Sequence, residues 1–302
     1  MKKIVLIFIL SCGLYAKTIT HNDVYAQSVL IRDHVYFLLK NYGIKHHHDE
    51  IVKRTTITTK LKPRNAWQKA YEILIKINIL RLANDLPRIV PIGIEPVEQL
   101  NPDMVYGMTQ RILAEIKIFE VRKGIKVPEF KVKKFNNKTS LDVYNQFSNI
   151  SATFDELNRS ELSPDYVFAE TMRIYDDLTV MLKYLGIKDE TIPSPRLEKA
   201  TPNDSLEISM KVLELIKKLQ RKVGIKTIDF SRFDKREATP SDVYTITGVI
   251  IAELQPIKAY MGLTHNITPP ALIYVNKISA DIEQLMGWNL RKLKCIENLD
   301  RR

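Results

Sequence analysis

The sequence has few of the residues and none of the long internal apolar runs that are typical of several common protein classes. Only 2 of its 302 residues are Cys, namely Cys12 and Cys295, which excludes a small scaffold held together by disulfide bonds. Its 10 Gly are too few for a barrel rich in glycine turns and for most phosphate-binding loops. No run of 18 apolar residues occurs after residue 16, and we therefore predict no internal membrane span.

Motifs of common catalytic sites are missing as well. The sequence has no Gly-x-Ser-x-Gly nucleophile turn, no His-Glu-x-x-His zinc helix, no phosphate loop ending in Gly-Lys-Ser/Thr and no Cys-x-x-Cys pair. We therefore expect a protein that is not an enzyme and that carries no cofactor. The composition, with 45% hydrophobic and 27% charged residues, is that of an ordinary globular protein.

The first residues have the layout of an export signal. Residues 1–16 have two lysines directly after Met1, then an apolar run over residues 4–10, and end on a small residue. The run is shorter than the roughly 20 residues of a membrane span. We expect a secretory signal peptide that is cleaved after Ala16, and a protein of the bacterial periplasm. Two alternatives stay open, a lipoprotein anchored through Cys12 and an uncleaved membrane anchor.

Residues typical of helix boundaries recur along the chain. A Thr, Ser or Asn opens most units, often followed by Pro and Asp, and in five units a Gly with an apolar residue after it closes the stretch. The opening side chain can accept hydrogen bonds from the helix start, Pro fits the first helical position, and Asp faces the positive end of the helix dipole. Gly supplies the left-handed residue after a helix. The predicted caps are Thr20, Asn101, Thr139, Ser163, Thr201, Thr239 and Thr268.

Apolar residues inside the units are spaced four and then three positions apart, which keeps one face of a helix apolar. This pattern assigns a set of residues to the core of the repeats. These residues are Ile112, Ile116, Phe119, Leu178, Ile216, Leu219, Leu254 and Ile257.

The units begin at 20, 62, 101, 139, 163, 201, 239 and 268, mostly with a period near 38. We predict an all-α fold, a solenoid-like array of about eight capped helices of roughly 20 residues. The short spacing between the fourth and fifth units divides it into residues 17–160 and 161–302, each with four units. The pattern resembles helical-repeat solenoids in architecture only, because the tetratricopeptide and ankyrin motifs are missing.

The connections between units allow two arrangements. Residues 125–138, 187–200 and 225–238 each form a connection of 14 residues. Fully extended, such a connection reaches about 46 Å, while a helix of about 20 residues is about 30 Å long. A connection can therefore run back along its helix, so that successive helices are parallel. The alternative is a short return helix inside each connection.

Two groups of residues suggest binding. His46, His47 and His48 are weak candidates for a metal site, since adjacent residues in a solvated connection rarely converge on one ion. The net charge is +11, and Lys131, Lys133, Lys134 and Lys138 crowd one connection. Because the protein is expected to be exported, we do not expect nucleic acid as a binding partner of these basic residues. The partners that we expect are anionic lipid, peptidoglycan or an acidic protein surface. The alternative is an ordinary solvated surface.

We therefore expect a scaffold or adaptor that binds other proteins within an envelope assembly, such as a flagellar motor, a secretion system or a pilus machine. Helical repeats present long surfaces that suit this role. The alternative is a periplasmic module that binds a lipid or a glycan. A cell-wall enzyme is less favoured.

Overall fold

The structure is a computed structural model that describes residues 18–89, 100–230 and 237–297. The predicted signal peptide and Cys12 lie outside these residues. The described ranges contain helices and no β-strand, which confirms the predicted all-α fold. No helix in them is long and apolar enough to cross a membrane. The helices are α1 (His21–Asn41), α2 (His48–Thr55), α3 (Pro63–Leu82), α4 (Pro102–Arg122), α5 (Ser140–Asn158), α6 (Pro164–Tyr184), α7 (Pro202–Lys222), α8 (Pro240–Tyr260) and α9 (Ser279–Glu297).

Local hydrogen bonds explain where most long helices begin. At Thr139, Thr201 and Thr239 the hydroxyl accepts the backbone N–H of the Asp three residues later, and that Asp carboxylate accepts the backbone N–H of the threonine. Thr20 donates its N–H and its hydroxyl to Asp23. This reciprocal capping satisfies N–H groups that a helix leaves unpaired.

The remaining predicted caps differ from one another. The Asn101 side chain accepts the N–H of Met104, whereas Ser163 precedes α6 without a side-chain cap bond. The prediction for Thr268 is wrong, because the last helix begins only at Ser279. Thr268 is instead fully buried, where its hydroxyl donates to Asp177.

The eight long helices form two closed sets of four. In the first bundle, α1 and α3 each contact α4 and α5; in the second bundle, α6 and α7 each contact α8 and α9. A solenoid would stack each helix on its neighbours in sequence, but α1 and α3 share no contact within the described residues. The helices therefore form two bundles and not one continuous stack. One helix pair, α3 with α8, joins the two bundles in the described part of the chain.

Hydrogen bonds between helix ends show that α1 and α5 in the first bundle, and α7 and α9 in the second, run in the same direction. The N–H of Lys138, before α5, donates to Asn22 at the start of α1, and Glu156 near the end of α5 bonds His46 just after α1. In the second bundle, Ser205 donates to the Ser279 carbonyl at the starts of α7 and α9. Their ends also meet, at Lys222 and the carbonyl of Glu297.

Parallel neighbours require connections that return the full length of a helix. The connection after α4 does so along α1, with Phe130 packed against His34 and Phe135 packed against Tyr25. The connection after α6 returns along α9, where Ser194 accepts a hydrogen bond from Gln284. The connection after α1 differs because it contains the short helix α2, which contacts α5.

The predicted core positions lie inside the bundles. All eight are buried, with exposed fractions from 0% to 8%, and they belong to one continuous apolar cluster. These residues are Ile112, Ile116, Phe119, Leu178, Ile216, Leu219, Leu254 and Ile257.

Candidate functional site

A polar cavity of about 310 Å³ lies where the first bundle meets the start of α8. Its wall is built from α3, α5, the connection through residues 53–59 and the first turns of α8. At about 30 Å³ for each water, the cavity has room for roughly ten water molecules. Its volume lies at the lower end of the range found for small-molecule sites, roughly 300–1,000 Å³.

Four charged side chains form a buried chain of alternating sign along this wall. The Lys69 Nζ lies 2.6 Å from Glu72 Oε2, and the Lys76 Nζ lies 3.6 Å from Glu72 Oε1 and 2.7 Å from Asp155 Oδ1. Lys69, Glu72 and Lys76 share one face of α3, because residues three and four apart lie above one another on a helix. The side chains of these three residues are at most 6% exposed, and that of Asp155 is 11% exposed.

Two hydroxyl groups and one backbone carbonyl add hydrogen bonds to this charged chain. Ser151 of α5 donates to Glu72 Oε1, and Lys76 Nζ donates to the Ser151 carbonyl. From α8 of the second bundle, the Thr245 hydroxyl accepts a bond of 2.8 Å from Lys69 Nζ. Both bundles therefore contribute to the cavity, and its geometry depends on how they are held together.

The two acids of the buried charged chain, Glu72 and Asp155, have pKa values displaced in opposite directions. Burial alone would raise the pKa of Glu72, but the ammonium groups of Lys69 and Lys76 outweigh it and hold that pKa below its usual value. Burial raises the pKa of Asp155 to about 6, although Lys76 partly offsets it. Near neutral pH the charged chain therefore contains one firmly ionised carboxylate, Glu72, and one carboxyl, Asp155, that gains a proton under mild acid.

The outer wall of the cavity is fastened to α5 by polar contacts. Asn145 accepts the backbone N–H of Ile57 at 3.0 Å and donates to the carbonyl of the same residue at 2.9 Å. The Thr55 hydroxyl donates to Asn149 Oδ1 one turn further along. These bonds hold residues 53–59 over the charged chain while leaving their threonine side chains along the cavity.

The junction between the bundles contains another buried acid, Glu253. Glu253 of α8 is fully buried and accepts two hydrogen bonds from Arg64 of α3, at 3.0 and 2.7 Å. Asn65 and Gln220 donate to the same carboxylate, each at 3.0 Å. Nearby, Gly248 of α8 packs beside Gln68 of α3, where a Cβ on the glycine would lie 3.7 Å from the Cβ of Gln68, an ordinary packing contact. This network fixes α3 against α8.

The histidines predicted as weak metal ligands serve another contact. The Nδ1 atoms of His46 and His47 lie 2.7 and 3.0 Å from the Glu156 carboxylate, and His48 Nδ1 lies 3.0 Å from the Tyr36 hydroxyl. Within the described ranges, no group of three or more His, Cys, Asp or Glu is arranged to hold a metal ion. These contacts join the end of α1 to α5.

The predicted basic residues fall into two kinds. Lys131, Lys133 and Lys134 are exposed to solvent. Lys138 packs its ammonium over the Tyr25 ring, 4.3 Å from the centroid, and is half-buried. Its Nζ also lies 3.9 Å from Asp142 Oδ1, so Lys138 differs from the other three lysines in having an acidic partner among the described residues, and its place in a basic surface stays a prediction.

Sequence reasoning missed the residues that line the cavity. Lys69, Glu72, Lys76 and Asp155 have the spacing of solvated charges on amphipathic helices, and no motif distinguishes them. Their burial follows from helices that are distant in sequence. Of the predicted caps, Thr239 also lines the cavity.

No protein-family model matches this chain, and no curated protein or solved structure is significantly similar to it.

Proposed function

We propose that this protein binds a small polar ligand in the cavity between its two bundles. The main support for this proposal is the buried chain of four charges on the cavity wall. Moving a charge from water into a protein interior costs several kcal/mol for each ion. Well-packed apolar side chains in place of buried ion pairs often leave a protein as stable or make it more stable. Buried charges with displaced pKa values around a cavity are typical of binding sites.

The charge of the lining favours a ligand without net charge. Four cationic and four anionic side chains contribute to the wall, which therefore has no excess charge to neutralise an ion. These side chains are Lys53, Arg54, Lys69, Lys76, Glu72, Asp155, Glu161 and Asp242. Threonine and serine hydroxyls, each both donor and acceptor, make up much of the rest. A sugar or a zwitterion of similar size fits this lining.

Calorimetry and thermal-shift assays with neutral sugars, zwitterionic amino acids, organic acids and polyamines test this proposal. We expect stabilisation by a neutral or zwitterionic compound. The substitution Ala152→Leu fills part of the cavity and should abolish the effect. Thr171→Val changes a buried threonine of α6 far from the lining and serves as the control. Binding that survives Ala152→Leu, or stabilisation by no compound of the panel, would contradict the proposal.

A scaffold or adaptor in an envelope assembly is the second candidate function. The connection between α8 and α9 exposes apolar side chains, with Leu272 and Ile273 each 67% exposed and Val275 68% exposed. Contiguous exposed apolar residues are typical of protein interfaces. A photo-crosslinker at position 272 should give one discrete adduct in cells, and the same group at exposed Lys199 should give none. Identical adduct patterns at both positions would contradict this role.

Export is part of the scaffold proposal. It rests on the basic and apolar layout of residues 1–16. Cell fractionation followed by N-terminal sequencing tests it directly. A periplasmic protein that begins at Lys17 supports cleavage after Ala16, whereas a lipid-modified Cys12 would support the anchored alternative. Full-length protein in the cytoplasm would contradict export.

We further infer that the capped helices are copies of one repeating unit with a period near 38. Three equivalent contacts support this inference. In each, the N–H of the residue before a helix cap donates to the side chain at the second helical position of a neighbouring helix: Lys138 to Asn22, Ala238 to Asn203 and Lys277 to Asp165. If each bundle is a complete set of units, the fragment 161–302 expressed alone should give a helical circular dichroism spectrum.

A further inference from the structure

The connection between α4 and α5 carries a group of unpaired cations. We call Lys131, Lys133 and Lys134 the basic strip; all three are exposed, as are Arg122, the last residue of α4, and Lys123 directly after it. Among the residues that the structure describes, none of these five cations has a carboxylate partner within ion-pair distance. Clustered unpaired cations repel one another and create a positive field over this face.

The fold holds the basic strip in a fixed position on the surface. Phe130, before the strip, packs against His34 with ring centroids 5.0 Å apart, and Phe135, after it, packs against Tyr25 at 4.9 Å. Both anchors face α1, so the residues between them point to solvent. An anchored segment presents its cations without the entropy loss of ordering a flexible chain.

The equivalent connection in the second bundle has the same kind of aromatic anchor without lysines before it. There the connection between α8 and α9 is anchored by Tyr274 against Phe168, also at 4.9 Å. The exposed residues before that anchor include Leu272 and Ile273. The aromatic anchor in the second bundle is thus preceded by apolar residues. Because anchoring does not require lysines at this position, folding alone does not explain the three lysines of the basic strip.

Exposed aliphatic side chains accompany the cations. Val132 lies within the basic strip and is 53% exposed, and Val121, in the last turn of α4, is 77% exposed. Lysines attracted to anionic headgroups, with aliphatic side chains entering the headgroup layer, are the usual elements of peripheral membrane binding. A soluble polyanion would satisfy the cations but would have no use for the valines.

We propose that the basic strip docks the protein on an anionic lipid surface. This site is separate from the cavity, and its occupant follows from charge complementarity together with Val132 and Val121. Sedimentation of the full-length protein with vesicles tests it, using pure phosphatidylcholine and an equal mixture of phosphatidylcholine and phosphatidylglycerol. We expect binding to the anionic vesicles only, weakening as NaCl is added.

The triple variant Lys131→Gln, Lys133→Gln, Lys134→Gln identifies the surface. A lysine near an anionic membrane contributes about fivefold in affinity, so the triple variant should lose on the order of a hundredfold. Lys188→Gln, Lys199→Gln, Lys226→Gln removes the same charge from exposed positions elsewhere and should lose little. Val132→Ser should weaken vesicle binding without changing its salt dependence.

Three results would overturn the proposal. Equal losses in the two triple variants would show that only net charge matters. Equal binding to neutral vesicles would remove the electrostatic basis. Tight binding of soluble polyphosphate that competes with the vesicles, combined with no effect of Val132→Ser, would replace the membrane by a soluble polyanion.

Discussion

The chain returns to the start of its last helix in the same way in both bundles. In the first bundle, the ring of Phe135 lies edge-on against Tyr25; in the second, Tyr274 lies edge-on against Phe168, with the same centroid distance of 4.9 Å. Yet the residues before these anchors are lysines in the first bundle and apolar residues in the second. The aromatic anchors therefore hold the connection in place in both bundles, while the residues before them can differ and can serve a function.

A second contrast concerns the charges of α3 and α7. On α7, the Lys211–Glu207 pair is exposed, with side chains 58% and 70% accessible. On α3, Lys69 and Glu72 form a pair with almost no access to solvent, because α5 and α8 cover that face. Equivalent helices therefore use similar residue types for a solvated surface in one bundle and for a buried polar wall in the other. The difference arises from the junction between the bundles.

The substitution with the largest expected effect is Glu253→Leu, which breaks this junction. It leaves the nearly buried guanidinium of Arg64 without its carboxylate, and loss of one partner of a buried pair costs about 3–5 kcal/mol. Urea denaturation measures the change in the free energy of unfolding. The control Glu207→Leu removes an exposed partner and should cost less than about 1 kcal/mol. Equal losses would mean that Glu253 does not hold the bundles together.

Matched core truncations test whether the two bundles are equally well packed. Ile116 in α4 and Leu254 in α8 are 1% and 0% exposed, and we expect Ile116→Ala and Leu254→Ala each to cost about 2–5 kcal/mol. Denaturation curves of the two variants give both values. A loss below about 0.5 kcal/mol at either position would contradict its assignment to the core.

Helix caps should contribute smaller and similar amounts in both bundles. Thr139→Ala and Thr201→Ala each remove a hydroxyl that accepts a backbone N–H, at a cost of about 1 kcal/mol. Thr58→Ala, at an exposed position outside any helix, is the control and should change little. Thermal denaturation can rank the three variants. Equal melting temperatures of the three variants would show that these two caps contribute little to stability.

The pH dependence of stability distinguishes Asp155 from Glu72, the two acids of the buried charged chain. The pKa of Asp155 is raised to about 6, so the folded state binds this proton more tightly than the unfolded state does. Its contribution therefore favours folding increasingly as the pH falls from about 7 to about 5. The pKa of Glu72 is lowered, and its stabilisation is lost only as the pH falls further, through its usual pKa and below.

Asp155→Asn isolates this effect. Compared with the unmodified protein, the variant should lose stability as the pH falls from about 7 to about 5, because it cannot bind the extra proton. Urea denaturation at both pH values gives the difference. Glu190→Gln, at an exposed ion pair, should show no such change. A pH-independent difference between Asp155→Asn and the unmodified protein would contradict the raised pKa.

The sequence was sufficient to locate most of the local structure. Thr201, Pro202 and Asp204 predicted a helix start through bonds that span only three residues, and Gly224 marked the end of that helix with a positive φ of 75°. The apolar spacing that placed Leu254 and Ile257 in the core also depends only on neighbours along one helix. Thr268 misled the prediction because its hydroxyl bonds Asp177, a residue of a different helix.

The candidate site could not be found in the same way. Lys69 reaches Thr245, and Arg64 reaches Glu253, across 176 and 189 positions of the chain. Local spacing contains no information on such distant partners, and charges spaced three and four apart are usually solvated. The sequence by itself determined where the helices begin, where most of them end and which face is apolar, since caps and periodicity act within a few residues. Only the tertiary structure decided that the helices close into two bundles with parallel neighbours and form a cavity where the bundles meet, because that depends on which distant faces meet.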